Sequence, residues 1–409
     1  MNLSKNSDVL IVGGGIIGLS LARELKRKGV KDVKILERNS ICGAEASSAA
    51  AGMLAPQSEA NRADNFFQFC RASRDLYPKF AEELFDETGV DIELDKTGTL
   101  YVAFTEADAE ELEKRFAWQT KANLKVEKLS AKEVLEIEPN VSENVLFGLR
   151  FPSDWQVENR KIVEAFNKFL TGYGINKLMQ RNAMDKVRVR AGGEFFSRDV
   201  KSLIYENNRV IGVETDIEKF YAPVVVVASG AWTSLIKDKF NLLADIKIKP
   251  IRGQMISFKD CRAVGDCGLF RHVIYSPRGY AVPRKDYRIL VGATVEDVGF
   301  ENHATGAGAA KLLETAFEIS PAFENLSLKK SWCGLRPFAA DGLPVLGVFP
   351  EIENLFIASA HYRNGILLAP LTAKILADKI IENKESRYLE IFSPRRFQKN
   401  NFQSAVSDF

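Results

Sequence analysis

The sequence predicts an α/β chain in which a unit built on parallel strands is interleaved with an α+β unit built on an antiparallel sheet. Three observations predict it. A strand, a glycine-rich turn, a helix and a second strand follow one another within residues 8–37. Short apolar runs return at 221–228 and 355–358, as strands buried on both faces do. The segments between, above all residues 250–300, alternate apolar and polar side chains instead. At 409 residues the chain has room for two or three domains of roughly 150 residues each.

In chain order, Asp8-Val-Leu-Ile-Val12 reads as a buried strand. Gly13-Gly-Gly-Ile-Ile-Gly18 turns into a helix expected over Ile17–Lys28, with Gly29 closing it at a C′ position. Asp32–Leu36 is the second strand and ends at Glu37. Parallel strands joined through a helix imply a right-handed crossover. Ile41–Pro56 is rich in Ala and Ser and too poor in large apolar side chains for a core of its own. A helix is expected over Asn61–Thr88, a strand at Gly98–Phe104 and a helix over Asn159–Tyr173. Hairpin signals lie within Lys186–Val213, at Ala191-Gly-Gly193 and Glu206-Asn-Asn208. Tyr221–Ala228 reads as one strand entering Ser229-Gly-Ala-Trp232, and Leu355–Ala358 as a last buried strand before a loop and a helix over Gly365–Ile381. The segment after Phe392 is polar, and no internal repeat is visible.

Lys plus Arg number 56 and Asp plus Glu 54, a formal charge of +2. That balance argues against charge-driven nucleic-acid binding and against polybasic attachment to a membrane surface. Cys42, Cys70, Cys261, Cys267 and Cys333 form no CxxC pair, which reads as free thiols in a reducing compartment and as no metal site. Met1–Asp8 lacks a signal-peptide pattern, and no apolar run approaches the ~20 residues of a membrane helix. A cytoplasmic protein is expected.

Gly13, Gly15 and Gly18 form GxGxxG directly between a strand and a helix. Such glycines permit a tight turn, the approach of a pyrophosphate to the backbone, and close helix–strand packing; the helix N-terminus favours the phosphate charge. Glu37 stands 19 residues after Gly18, where a carboxylate binds ribose hydroxyls. This is a Rossmann-like dinucleotide signal, against the plainer reading of a glycine-rich turn in another α/β fold. The acid at 37 disfavours a 2′-phosphate, so NAD and FAD remain.

Gly43-Ala-Glu-Ala-Ser-Ser-Ala-Ala-Ala-Gly-Met-Leu-Ala-Pro-Gln-Ser-Glu59 closely resembles the flavin-contacting loop of bacterial glycine oxidases in the D-amino acid oxidase family. So do Trp332-Cys-Gly-Leu-Arg-Pro337 and His361-Tyr-Arg-Asn-Gly-Ile-Leu-Leu-Ala-Pro370. With Gly13–Gly18 and Val226-Val-Ala-Ser-Gly-Ala-Trp232, the resemblance runs to about residue 385. It implies FAD bound without a covalent link. Small residues at 46–52 let backbone amides approach a flat ring, and Met53 and Leu54 cover it.

The cofactor contacts so implied begin with Gly13, Gly14, Gly15, Ile16, Ile17, Gly18, Glu37 and Arg38, with Arg38 near the adenine ribose. Ala46, Ser47, Ser48, Ala51, Gly52 and Met53 lie along the flavin. Val200, whose strand meets the adenine, follows, then Ser229, Gly230 and Trp232. His361, Tyr362, Arg363, Asn364, Gly365, Ile366 and Leu367 complete the set, with His361 a contact and not a base. Asn364-Gly365 suits a turn with positive φ. The helix after it aims its positive end at the flavin, favouring the anionic reduced ring by up to ~2 kcal/mol. The family usually has glycine where this chain has Ala360. Lys186, Arg188 and Arg190 alternate in an insert and read as a solvated strand face.

For the substrate, a buried carboxylate needs a fixed cation, and arginine offers a planar fork that stays charged. The resemblance makes Arg336 that clamp, with Arg363 and Tyr280 in the same pocket; the plain alternative for each arginine is a structural ion pair. Arg278 stands where the family has histidine and Val295 where it has methionine, so both are expected to bear on substrate choice. The activity implied is oxidation of glycine or another small amino acid to the imine by hydride transfer to FAD, with no general base. O2 is the acceptor and the imine feeds thiazole assembly for thiamine. A D-amino acid or sarcosine dehydrogenase using another acceptor is the rival enzyme. A flavoprotein subunit without a substrate is the rival of another class. Cysteine-linked flavin occurs in related sarcosine oxidases, but Cys333 is expected to be a buried structural thiol. The family often forms homotetramers.

The expected division gives 1–88, 150–250 and 330–395 to an FAD-binding domain, 89–149 and 251–329 to a substrate-binding domain, and 396–409 to a tail.

Overall fold

β1 (Val9–Val12) is wholly apolar because both of its faces are covered: none of its four residues is more than 3% exposed. In the computed structural model, which describes residues 6–171, 195–260, 268–350 and 352–397, β1 lies inside a six-stranded sheet. Lys186, Arg188, Arg190, the 191–193 turn, Cys261, Cys267 and tail residues 398–409 lie outside the described residues. On one side β1 pairs in parallel with β2 (Val33–Glu37), and on the other with Val224–Val227. Phe195–Ser197 extends the sheet beyond β2, and Ile352–Ser359 extends it beyond Val224–Val227, both in parallel. Val345–Phe349 closes that edge antiparallel.

The connection between β1 and β2 is α1 (Ile16–Arg27). Gly29, at φ +92°, ends it as expected of a left-handed residue after a helix. The strand expected over Tyr221–Ala228 is two strands, Lys219–Tyr221 and Val224–Val227. Pro223 lies between them and has no N–H to offer a ladder. The helix expected from Asn61 begins at Asn65, because Asp64 accepts from the Phe67 N–H at 2.8 Å and so caps it.

An eight-stranded sheet packs beside the first. Its order is Ser327–Phe338, Lys249–Lys259, Arg288–Gly292, Gly279–Pro283, Val273–Ser276, Thr99–Ala103, Phe147–Phe151 and Glu127–Ser130. It is not purely antiparallel: Val273–Ser276 runs parallel to Thr99–Ala103, because these strands come from separate stretches of chain and need no hairpin between them. The expected boundaries at 149/150 and 329/330 fall inside two of its strands, Phe147–Phe151 and Ser327–Phe338. Smaller pieces are a three-stranded sheet over 200–221 and a two-residue pairing of Met53–Leu54 with Trp155–Gln156.

The helix Gly365–Glu382 returns the chain to the first sheet and packs on α1 and on Asn65–Thr88. Pro370 lies inside it and offers no N–H to the Ile366 carbonyl four residues back. The Tyr77 hydroxyl donates to that carbonyl instead, and the Ser73 hydroxyl donates to the Leu367 carbonyl at 2.6 Å. The helix start is thereby held in place although its backbone ladder is broken. Among the described residues no helix is long and apolar enough to cross a membrane, and no cluster of His, Cys, Asp and Glu is arranged to hold a metal.

Candidate active site

A cavity of about 470 Å³ opens where the parallel strands end. Val12, Leu36, Ala228 and Ser359 mark the C-terminal ends of four of those strands, and Met255, Tyr280 and Arg336 reach it from the eight-stranded sheet. A crevice at the carboxyl ends of parallel strands is where open α/β sheets bind their ligands.

At one end, the glycines divide the work. Gly13 has φ +111°, and a Cβ there would lie 2.4 Å from the Ala228 carbonyl oxygen. A Cβ on Gly18 would lie 2.1 Å from the Gly13 carbonyl oxygen, so Gly18 is a packing glycine. Gly14 backs onto Cys42, whose sulfur a Cβ would meet at 2.6 Å. Gly15 is the least crowded of the four, with only the Ser47 hydroxyl at 3.4 Å from an added Cβ, and it lines the cavity with Ile16 and Ile17. The first turn of α1 carries no acidic residue, and its N-cap has no side-chain partner. Glu37 lies beside it, accepting from the Gly14 N–H at 2.9 Å and from Asn39. An open helix N-terminus next to a fixed carboxylate matches a pyrophosphate followed by a ribose.

The guanidinium of Arg38 stacks 3.5 Å from the centre of the Trp232 ring and pairs with Glu45. Trp232 in turn meets Phe300, at 5.7 Å between ring centres. Val200, Ser229, Gly230 and Trp232 form the wall there with Arg198 and Asp199.

The Ala/Ser segment is not all loop, since Ala46–Ala49 makes one helical turn. The Ser47 hydroxyl accepts from the Ile16 N–H at 2.9 Å, and the Ser47 carbonyl accepts from Asn159 at 2.7 Å. Ala46, Ser47, Ala51, Gly52 and Met53 line the cavity. Gly52 has φ +70°, and a Cβ would lie 2.0 Å from the Val157 carbonyl oxygen. Beneath it, fully buried Arg284 donates to the carbonyls of Ala51 and Val157 and to Gln156. The flat, side-chain-poor face this leaves suits an aromatic ring system. These features together accommodate a flavin dinucleotide.

Beyond that face lies a cluster of tyrosine, arginine and one acid. Arg336 donates to the Thr294 carbonyl at 3.0 Å and more weakly to that of Arg252. Gly253 leaves room for its fork: a Cβ there would lie 2.2 Å from the guanidinium. Tyr280 lines the cavity with Arg336, Arg363 and Glu59, and burial pushes its pKa up, so it stays a donor at neutral pH. Arg363 pairs with Glu59 at 3.2 Å and donates to the Tyr275 hydroxyl at 3.1 Å. Burial raises Tyr275 to about 12. His361 sits in the wall, bonded to the Thr372 hydroxyl at 3.2 Å. Burial lowers its pKa to about 3, so it is uncharged and a poor base.

Several expectations are corrected here. Gly14, Gly18, Ser48 and Leu367 do not line the cavity but support its wall from behind; Ser48 donates to the Gly43 carbonyl, and Leu367 is buried in the core. Asn364 and Gly365 do not carry the positive φ. Ala360 (+58°) and Tyr362 (+49°) do, which explains why glycine suits position 360. Tyr362, Asn364, Gly365 and Ile366 do line the wall. Arg278 and Val295 lie off it. Arg278 pairs with Asp108 and Glu318 on the rim of the eight-stranded sheet, and Val295 is 59% exposed. Cys333 is half-buried, not buried, and its thiol donates to Asn302 at 3.1 Å, away from the cavity.

Glu59 and Arg284 were not legible as site residues. Glu59 ends a stretch from 46 to 58 with no charged residue, a weak signal that was available. Arg284 has no signal, because its partners are carbonyls more than a hundred residues away.

Glu59 is carried on the short helix Pro56–Glu59, which Asp154 anchors. The Asp154 carboxylate is fully buried and accepts from the N–H groups of Gln57 and Ser58 and from the Ser58 hydroxyl. Burial outweighs those donors and raises its pKa from 3.8 to about 6. The folded chain therefore holds a proton in that window that the unfolded chain has lost. Stability from this group is full below the unfolded pKa and is lost as pH rises through the folded one. The melting temperature of the native chain, measured relative to Asp154→Asn, should fall between about pH 4 and pH 7. A difference that is flat over that range would refute the assignment.

Residues 8–379 match the family described as DAO, FAD dependent oxidoreductase. Among curated proteins, the chain is 34% identical to a bifunctional protein ThiO/ThiG of Synechocystis sp., over 97% of this chain and 55% of that one. A protein of the same description from Trichormus variabilis also matches over 55% of its length, so the chain spans about half of these relatives. It is 32% identical to a glycine oxidase of Geobacillus kaustophilus, covering 93% and 94% of the two chains. The crystal structure of glycine oxidase from that organism superposes with a TM-score of 0.83 at 31% identity, over 95% of this chain and 98% of the other. A match over most of the chain, on a fold whose cavity suits a flavin dinucleotide, means that this protein belongs to the DAO family of FAD-dependent oxidoreductases.

Proposed function

We propose that this chain oxidises glycine, or another small amino acid, to its imine, which water hydrolyses to the 2-oxo acid and ammonia. The observation that carries the reading is Arg336, a fixed cation whose hydrogen-bond partners are carbonyls, at the end of the cavity beyond the flat 46–53 face. The likeness to glycine oxidases over nearly the whole chain supports the choice of substrate.

When bound, FAD supplies a two-electron acceptor for a hydride from the substrate's α-carbon. Glu37, the α1 N-terminus and the backbone of 51–53 would hold it. Arg336 grips the substrate carboxylate, and the Tyr280 hydroxyl donates a second hydrogen bond to it. Tyr275, Tyr280 and Met255, all buried, exclude water from the reacting end. The neutral amine needs no base. The protein's part is orientation and electrostatics.

In this reading O2 takes the electrons and forms hydrogen peroxide, the flavin is held without a covalent bond, and the imine feeds the thiazole of thiamine. The family resemblance supports a cytoplasmic homotetramer. The test is the visible spectrum of the purified protein, without oxygen, before and after glycine. Bleaching of the flavin band is expected, and oxygen uptake on re-aeration. A yellow protein that glycine leaves yellow would overturn glycine as substrate, and bleaching without oxygen uptake would overturn the oxidase.

A further inference from the structure

We propose that Glu59 determines specificity: by pairing with Arg363 it leaves Arg336, among the described residues, as the single uncompensated cation at the substrate end, and so restricts the site to amino acids with one carboxylate. This rests on the reading of Arg336 as the carboxylate clamp. The geometry is direct. Arg363 and Glu59 are 3.2 Å apart, and their side chains are only 32% and 22% exposed. The same Arg363 nitrogen donates to the Tyr275 hydroxyl at 3.1 Å, which fixes the guanidinium in place. Arg336, by contrast, has carbonyl partners and no carboxylate among its hydrogen bonds. Glu59, Tyr280, Arg336 and Arg363 all line the same cavity.

Two arginines lining one cavity would otherwise suit a dicarboxylate. Here a second carboxylate must displace Glu59 from Arg363. That strands a half-buried anion next to the incoming one, which costs more than the new pair returns. Glutamine at 59 keeps the shape and removes the charge, so the Arg363 fork becomes free for a second carboxylate.

The experiment compares glycine with N-(carboxymethyl)glycine, which adds one carboxylate to the glycine frame. Glu59→Gln should raise the ratio of kcat/KM for N-(carboxymethyl)glycine over glycine by at least about tenfold. The double variant Glu59→Gln, Arg363→Gln should lose that gain. In the unaltered holoenzyme, malonate should perturb the flavin spectrum at no lower concentration than acetate does, a comparison that stands even if the variants fail to retain FAD. Tighter malonate than acetate binding to the native protein, or an unchanged ratio in a folded, yellow Glu59→Gln, overturns the proposal while leaving the clamp intact. If neither acetate nor glycine perturbs the native flavin spectrum, the clamp falls and the proposal with it.

Discussion

Arg336→Ala is expected to raise the KM for the amino acid substrate by roughly ten- to a hundredfold, and by more if both arms of the fork are engaged, while FAD stays bound. The magnitude follows from the loss of a charge-assisted hydrogen bond, worth about 1.5–3 kcal/mol, with about 1.4 kcal/mol per factor of ten. The FAD-holding segments are untouched, since the Arg336 side chain donates to the carbonyls of Thr294 and Arg252 and not to residues 13–18, 37 or 46–53. Arg336→Lys should recover part of the loss, because it returns the charge but not the planar fork. Steady-state kinetics with a visible spectrum of each variant checks both halves. An unchanged KM in a yellow Arg336→Ala would sink the clamp.

Gly13→Ala is expected to yield a colourless, destabilised protein. Its backbone sits at φ +111°, and the added Cβ would lie 2.4, 2.7 and 2.9 Å from the backbone of Ala228 and Ser229. None of these contacts is with the end of a flexible side chain, so β1 must part from Val224–Val227 or the turn must change shape. A cost of about 3 kcal/mol or more is a large share of a domain's net stability. Gly15→Ala is the control. Its nearest neighbour would be the Ser47 hydroxyl at 3.4 Å, an ordinary contact, so the fold should survive. Gly15 nevertheless lines the cavity, so FAD should bind more weakly. Thermal melts with and without added FAD separate the two. A yellow Gly13→Ala with a native melting temperature would refute the packing argument.

The strand–turn–helix–strand over 9–37 was legible because each of its determinants is local: continuous apolar residues, glycines at fixed offsets, and an acid at the end of β2. The resemblance carried the Ala/Ser segment, Arg336, Tyr280 and the 361–366 turn to one cavity, where the structure also places them. It went astray at Arg278 and Val295. Arg278 is drawn to the rim by Asp108, 170 residues earlier, and Val295 is left on the surface. Positive φ was assigned to the wrong pair for a related reason. The strain at Ala360 and Tyr362 is set by how the turn meets Pro337, whose carbonyl accepts from the Tyr362 N–H at 3.0 Å, and not by which residues tolerate it best.

The amino-acid sequence by itself determined the dinucleotide-binding turn and the order of its flanking elements, since these depend on neighbours along the chain. Only the tertiary structure decided which charges cancel. Whether Glu59 silences Arg363, whether Arg284 seats the 51–52 backbone, and whether Arg278 reaches the cavity depend on partners 170 to more than 300 residues away along the chain. Ion pairs and carbonyl contacts over such separations have no period and no local composition, so they come into being only when the sheets meet.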